Sequence, residues 1–531
     1  MELLKVKYND SEMPIENVKV VLHRKLNDHD SAHITGMMKE EQYDKYVEVA
    51  TSETKIELEF TRNGEKKLVF VGVLDSISAD TEGVEENAVY FVSIDALAYT
   101  SKMDLKLHKE SFQDKNMMFD ELIDEVIKKY PAADKKMEVG KGIPIQYFTL
   151  QYRETDWEFM VRQASLFNEP LVCESTSNAP RFRFGLKDFT DRGKIERYNY
   201  RIIKKINNFR ISSENKYILG ASEFDFINYQ IFLEEEDKPL SIGDRIQYKG
   251  MTMYICKSTI EIRDHNIYNT INICTQQGLR QNRLYNEKIV GVSIIGKVLD
   301  AKANMLKLHL EIDEFQDITK AWWFDYATFY STWYCMPEIN DYVNLHFSKN
   351  EEVKAIALNS LKQKPEGSYD RNNSVPVHGA YNGQMGISGQ GTFGANTEGG
   401  SQSPIYSGGG GSGSAPKTGG GVAQPIEFEP MATDPNVKML TTQDNKTIAL
   451  GPDHITIDTG AGTYIKLTDG GGIEIYTDSD IDMYAGNNIK VDCVKEMYVE
   501  AKELIKMTCA GSTLQLEPFV ITATSKDVDM N

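Results

Sequence analysis

The alternation of apolar and polar positions changes character along the chain. Residues 55–60 (KIELEF) place Ile56, Leu58 and Phe60 on one face, and 68–77 (LVFVGVLDSI) follow a turn at Asn63-Gly64. Two alternating runs joined by Asn-Gly predict a β-hairpin. Met118, Leu122, Ile123, Val126, Ile127 and Tyr130 recur at helical spacing and stop before Pro131, which predicts an amphipathic helix. A second helix is expected from Thr155. There Thr155-Asp156-Trp157-Glu158 fits a capping box, with hydroxyl and carboxylate satisfying the first free N–H groups. Residues 1–285 thus read as mixed α/β. Residues 291–299, 305–312, 342–347 and 353–361 are short alternating runs punctuated by Asn304, Pro337 and Asn350. About five short strands in 286–361 predict a small barrel of the OB type.

From Ile465 the pattern becomes periodic. Ile465/Leu467, Ile473/Ile475, Ile481/Met483, Ile489/Val491, Met497/Val499 and Ile505/Met507 follow one another every eight residues without a slip. Two positions beyond these pairs the side chain tends to be small, as at Thr477, Ala485, Cys493, Ala501 and Cys509. Alternation inside each octad means a strand with one buried face, and the fixed period means strands stacked along an axis. Eight residues span at most ~26 Å, too little for a closed turn whose walls must stand ~10 Å apart. Each octad is therefore expected to be one side of a triangle. The three sides come from one chain or from three intertwined chains. The small fifth position fits a narrow prism shared by three chains, so residues 437–531 are expected to be a trimeric β-helix, with the twelve paired residues as its core.

Composition enters at two points. Seventeen of the 39 glycines lie between Gly367 and Gly421, and 362–436 are dominated by Gly, Ser, Asn and Gln. Such a segment buries too little apolar surface to offset its ordering entropy and is expected to be a flexible linker. The net charge of −20 argues against nucleic acid or an anionic membrane surface as the main partner. Residues 437–531 carry 8 basic and 15 acidic residues, so the needle is acidic outside.

Candidate chemistry is sparse. Six cysteines form no CxxC pair and read as buried free thiols. His29 and His33 are spaced HxxxH without the Glu of a zinc-protease helix, which argues against a metal site. Glu154, Asp156 and Glu158 are candidate catalytic carboxylates, but capping explains them more simply. The N-terminus has no apolar signal core, and no apolar run is long enough to span a membrane. Synthesis and folding in the cytoplasm are expected.

Four segments in order resemble the VgrG spike proteins of type VI secretion and the related hub–spike proteins of contractile phage tails. Residues 151–165 (QYRETDWEFMVRQAS) resemble the family's hub motif, through Gln151, Tyr152, Glu154, Asp156, Trp157, Phe159 and Arg162. Residues 68–74 resemble a strand of its N-terminal barrel, and 98–112 with the following helix resemble its Ser-Phe-Gln segment. Residues 337–347 (PEINDYVNLHF) and 355–361 resemble its OB strands, with Asn340 in place of Gly; Asn tolerates the same left-handed turn.

The resemblance implies a mainly β protein with some α. Its parts would be a hub of β-barrel-like domains plus helices (1–285), an OB collar (286–361), the linker (362–436) and the β-helix needle (437–531). It implies a homotrimer that caps a tail tube of hexameric rings, contacts baseplate proteins and punctures the target envelope. A PAAR-like tip protein or an effector would ride at the C-terminal end as a separate chain. Some relatives insert a lysozyme before the needle or carry iron-binding histidines at the tip. Here the first place holds the Gly/Ser stretch and the last histidine is His454. No enzymatic activity, cofactor or metal is therefore expected, and contact with a target membrane would be transient. The alternatives are a cell-wall hydrolase within residues 80–240 and a trimeric adhesin.

Overall fold

The computed structural model describes residues 3–39, 43–62, 64–83, 89–196, 199–233, 240–263, 266–328, 332–361, 434–442 and 444–526. The linker expected at 362–436 lies almost wholly outside the described residues. The chain is mostly strand, with four short helices among the described residues: α1 (Tyr43–Glu48), α2 (Phe119–Ile127), α3 (Asp156–Ser165) and α4 (Ile206–Glu214).

The N-terminal half is built on one large sheet. The hairpin read from the alternation is there: Lys55–Arg62 pairs antiparallel with Glu65–Glu82, setting Ile56 opposite Gly72 and Leu58 opposite Phe70. The sheet continues through Val89–Ala98, Ser31–Met38 and Glu16–Lys25. It then takes in Met251–Arg263, so the last strands of the region lie beside the first. Val20, Leu22, Ile34, Ile56, Leu58, Phe70 and Ile94 are buried on its inner face. Against the same core pack Leu122, Ile123 and Val126 of α2 and Trp157, Phe159 and Met160 of α3. A fully buried side chain of this kind contributes about 1.5–3 kcal/mol, so the two helices are held by packing rather than by their short length.

Ser293–Lys302, Met305–Leu310, Trp323–Tyr326, Ile356–Leu361 and Tyr342–His346 close into a five-stranded barrel. Ala303 (φ 50°) turns the first hairpin, and Asn340 takes the left-handed backbone (φ 77°) that its place in the sequence calls for. Residues 353 and 354, expected to begin the last strand, belong instead to the 3-10 turn Glu352–Lys354. The barrel core of Val298, Leu306, Leu308, Leu310, Phe324, Val343, Leu345 and Phe347 also receives Phe148, Leu150 and Tyr152. Those three come from the strand Thr149–Glu154 and the residue before it. The division near residue 286 in the chain is thus not a division in packing.

The octad region differs from a uniform solenoid. Lys438–Thr441, Thr447–Leu450, His454–Asp458, Tyr464–Thr468 and Gly472–Tyr476 pair with their neighbours in sequence as an antiparallel meander. Ile505–Cys509, Ser512–Glu517 and Val520–Thr524 form a second one. Between them, residues 477–504 contain no strand. The octad as one side of a triangle therefore does not describe Ile465, Leu467, Ile473, Ile475, Ile505 and Met507, whose strands pair within their own chain. The reason lies in the turns. Gly460, Gly462, Gly470, Gly472 and Gly511 all hold positive φ and let the chain fold back. From 473 to 510 the sequence has one glycine, Gly486, which holds no such angle, and residues 477–504 form no antiparallel hairpin.

Candidate functional site

Two regions carry the residues singled out in the sequence: a polar seam between the large sheet and the barrel, and the octads.

The seam is organised by α3. Thr155 caps it by accepting from the Glu158 N–H at 3.1 Å, while Glu158 accepts from the Thr155 N–H at 3.1 Å. Glu158 also receives Lys288 Nζ at 3.0 Å. Trp157 turns into the core under the large sheet and donates its indole N–H to the Asn27 carbonyl at 3.2 Å. One turn later Arg162, buried, closes a two-pronged pair with Glu154, Nε and Nη2 each 2.7 Å from a carboxylate oxygen. Its Nη1 reaches Glu352 of the barrel at 2.8 Å, and Nη2 also donates to the Leu150 carbonyl at 2.8 Å. Burial alone would depress the guanidinium, but Glu352 and Glu154 outweigh it and hold Arg162 above its ordinary value. Burial raises Glu352, against the pull of Arg162.

Asp156 is fully buried. It accepts from Gln151 Nε2 at 2.9 Å and from the Tyr130 hydroxyl at 2.7 Å, with Lys129 at 3.3 Å and His108 at 3.4 Å. Burial, and then the Asp156 carboxylate itself, push the Tyr130 phenol upward and keep it a donor. Burial lowers His108 despite the nearby Asp156.

The Ser-Phe-Gln segment completes the seam. Ser111 donates its N–H and its hydroxyl to Asp313 at 2.8 and 2.6 Å. Gln113 donates to the Leu308 carbonyl at 3.1 Å and accepts from the Trp322 N–H at 3.1 Å. Asn286 donates to the Tyr152 carbonyl at 2.8 Å. Burial pushes Asp313 up to about 6, opposed by its bonds to Ser111.

The structure thus gathers Gln151, Tyr152, Glu154, Asp156, Trp157, Phe159 and Arg162 into one connection between two cores. Glu154, Asp156 and Glu158 are each committed to an ion pair, a buried network or a cap. Reasoning from sequence missed Glu352, Asp313 and Asn286, whose local patterns mark them only as polar residues beside a turn. His29 and His33 do not converge. His29 sits on the Trp157 ring with Nδ1 2.8 Å from Thr100, and His33 reaches Asp95 at 2.7 Å. Among the described residues no three His, Cys, Asp or Glu side chains are grouped to hold a metal ion. Cys173 and Cys274 are buried as expected, whereas Cys335, Cys493 and Cys509 are exposed in the single chain.

In the first meander the register places Leu440, Ile448, Ile457, Ile465 and Ile475 in one row across five strands. Leu450, Ile455, Leu467 and Ile473 form a second row on the same face. Thr456, Lys466 and Glu474 stand in a row on the other face. The apolar face is uncovered: its members are all among the exposed hydrophobic residues. In the unpaired stretch, Ile481, Met483, Ile489, Val491, Met497 and Val499 are 57–74% exposed. The second meander again aligns Ile505 with Leu516 and Met507 with Leu514. The first meander is stitched to the barrel region, since Trp333–Tyr334 pairs with Lys438–Thr441, Trp333 opposite Leu440.

No protein-family model matches the chain, and no curated protein matches it. Solved structures resemble it. One is the E. coli c3393 protein, described as a component of the type VI secretion system with similarity to the T4 bacteriophage tail proteins gp27 and gp5. It has a TM-score of 0.45 and 9% identity, over 66% of this chain and 99% of that one. A chain of the Francisella PdpA–VgrG complex gives 0.43 and 10%, over 90% of this chain and 88% of that one. The 43 kDa tail protein of prophage MuSo2 from Shewanella oneidensis gives 0.42 and 11%, over 52% and 99%. Among the described residues no helix is long and apolar enough to cross a membrane.

Proposed function

We propose that three copies of this chain form the central spike of a contractile injection machine. The observation that carries the reading is the octad stretch 477–504. Its six apolar pair residues from Ile481 to Val499 stand exposed, and its backbone has no strand partner among the described residues. Unpaired strand backbone beside a regular apolar column calls for pairing by another chain. Identical chains in one register put the same residue in every layer, so three copies bury each column in a shared core. The uncovered faces of the two meanders continue that column at both ends.

The other parts follow in order. The hub seats on a tube of hexameric rings among baseplate proteins. The barrel forms a collar, and the needle points at the target envelope. The seam around Arg162 transmits thrust between hub and collar, and its carboxylates serve that joint rather than catalysis. The spike works mechanically. A tip protein or effector rides on the C-terminal end as a separate chain, and the target membrane is touched only in passage. Assembly takes place in the cytoplasm, with export as part of the particle.

The test is co-purification with tail-tube protein after co-expression. Retention of the tube protein supports the spike; binding to a cell-surface glycan with no affinity for tube rings would favour the adhesin. Lysis in a cell-wall zymogram, lost on changing one carboxylate, would favour the hydrolase.

A further inference from the structure

Away from both regions, three tyrosines cluster at the end of the large sheet. Tyr200 lies on the strand Tyr200–Lys204, Tyr229 on Ile227–Leu233 and Tyr248 on Asp244–Tyr248. Their ring centroids stand 6.1, 6.2 and 5.8 Å apart, with interplanar angles of 52°, 80° and 66°, so the rings meet at steep angles rather than stack. Tyr229 and Tyr248 are buried and fixed in the core around Ile231, Ile246 and Ile255. Tyr200 is partly exposed. A cation of the chain itself lies over the three rings: Lys249 Nζ is 3.6 Å from the Tyr200 centroid and 5.7 Å from each of the other two, and its hydrogen bond to Tyr200 holds it above its ordinary value. Lys249 stands at the corner between two strands, exposed, with φ 50°. Among the described residues it makes no ion pair.

We propose that this cluster is an aromatic cage for a choline-type quaternary ammonium, its ring faces covered by Lys249 in the unliganded chain. Ring faces carry negative quadrupole density and attract a cation, and the attraction grows as the cation is less strongly hydrated. A primary ammonium is compact and strongly hydrated, and it gives up favourable hydration to lie against rings. A quaternary ammonium gives up little and lays its methyl groups against the rings. Lys249 sits on an exposed corner and leaves by side-chain rotation alone, without moving the strands that hold the rings. The net charge of −20 opposes anionic surfaces and leaves a zwitterionic choline surface compatible. The cage is independent of the spike reading, since it belongs to one chain and uses no octad or seam residue.

The experiment is a titration of the full chain with choline and with tetramethylammonium, read by NMR shifts of the tyrosine rings. Lys249→Asn removes the covering ammonium while tolerating the left-handed backbone. The variant is expected to bind both cations at least fivefold more tightly than the wild type, and Tyr200→Ala added to it should abolish the gain. Vesicles of phosphatidylcholine and of phosphatidylglycerol then separate the sources. Retention on the first alone assigns a lipid headgroup; binding of free choline without vesicle retention assigns a soluble ligand. Equal or absent binding in the wild type and Lys249→Asn, with ring shifts showing the three tyrosines unmoved, would overturn the proposal and leave the cluster a clip for its own lysine.

Discussion

Arg162 and Glu352 are 190 residues apart in sequence and 2.8 Å apart in space, one on α3 beside the large sheet and the other on a turn of the barrel. The contact is part-buried, and Arg162, itself buried, is at the same time pinned by both oxygens of Glu154. Replacing Arg162 by Met strands two carboxylates in a dry seam. Breaking a buried pair in this way costs about 3–5 kcal/mol. Arg162→Met is expected to lower the melting temperature and to expose the segment joining hub and barrel to protease. Arg162→Lys should fare little better, because an ammonium cannot serve two carboxylates and a carbonyl with the same planar fork. Unchanged melting in both variants would mean that the seam bears no load.

The pH dependence follows from Asp313. Its folded pKa of about 6 lies above the ordinary carboxylate value of 3.8. The neutral acid is therefore the form the seam prefers. Its contribution is fully present below about pH 4 and is lost as the pH rises through 6, by at most roughly 3 kcal/mol. Asp313→Asn keeps an acceptor for the Ser111 N–H and removes the charge. Melting curves from pH 4 to 7.5 should show the wild type losing stability relative to this variant as the pH rises. Parallel curves would contradict the assignment.

The sequence showed the seam and the octads unequally, for physical reasons. Alternation tells that Leu150 and Tyr152 face inward but not which body they enter, and they enter the barrel rather than the hub. The cap at Thr155 was legible because a capping box is local; Glu352 was not, because its partner is fixed only by the fold. Likewise a period of eight is the same for strands that wind around an axis and for strands that fold back. The distinguishing signal was present in the spacing of Gly460, Gly462, Gly470 and Gly472.

Those glycines make a contrast of their own. Gly472 holds φ 88° and has open space around it, so an added methyl group meets only backbone strain. Gly472→Ala should destabilise the first meander by about 1–2 kcal/mol. Gly486 is equally open but lacks the left-handed angle, and Gly486→Ala should be neutral or slightly stabilising. Needle melting followed by circular dichroism distinguishes them; equal effects would mean that reversal and continuation are not set by these glycines.

The barrel region and the first meander are joined by a strand pair, Trp333 opposite Leu440, with Lys438 Nζ reaching the Met336 carbonyl at 2.5 Å. The two sides of the Gly/Ser stretch therefore meet directly. A chain lacking residues 370–425 is expected to assemble as the full-length protein does, with the same elution volume after correction for mass. Loss of assembly would show that the deleted stretch is itself structural.

The central claim is that the octads are completed by other copies of the same chain, and the solution mass tests it most directly. Light scattering on the full chain at micromolar concentration should give about 180 kDa, three times the 60.1 kDa of one chain, unchanged on tenfold dilution. A single species near 60 kDa under those conditions would contradict the intertwined needle and the spike built on it.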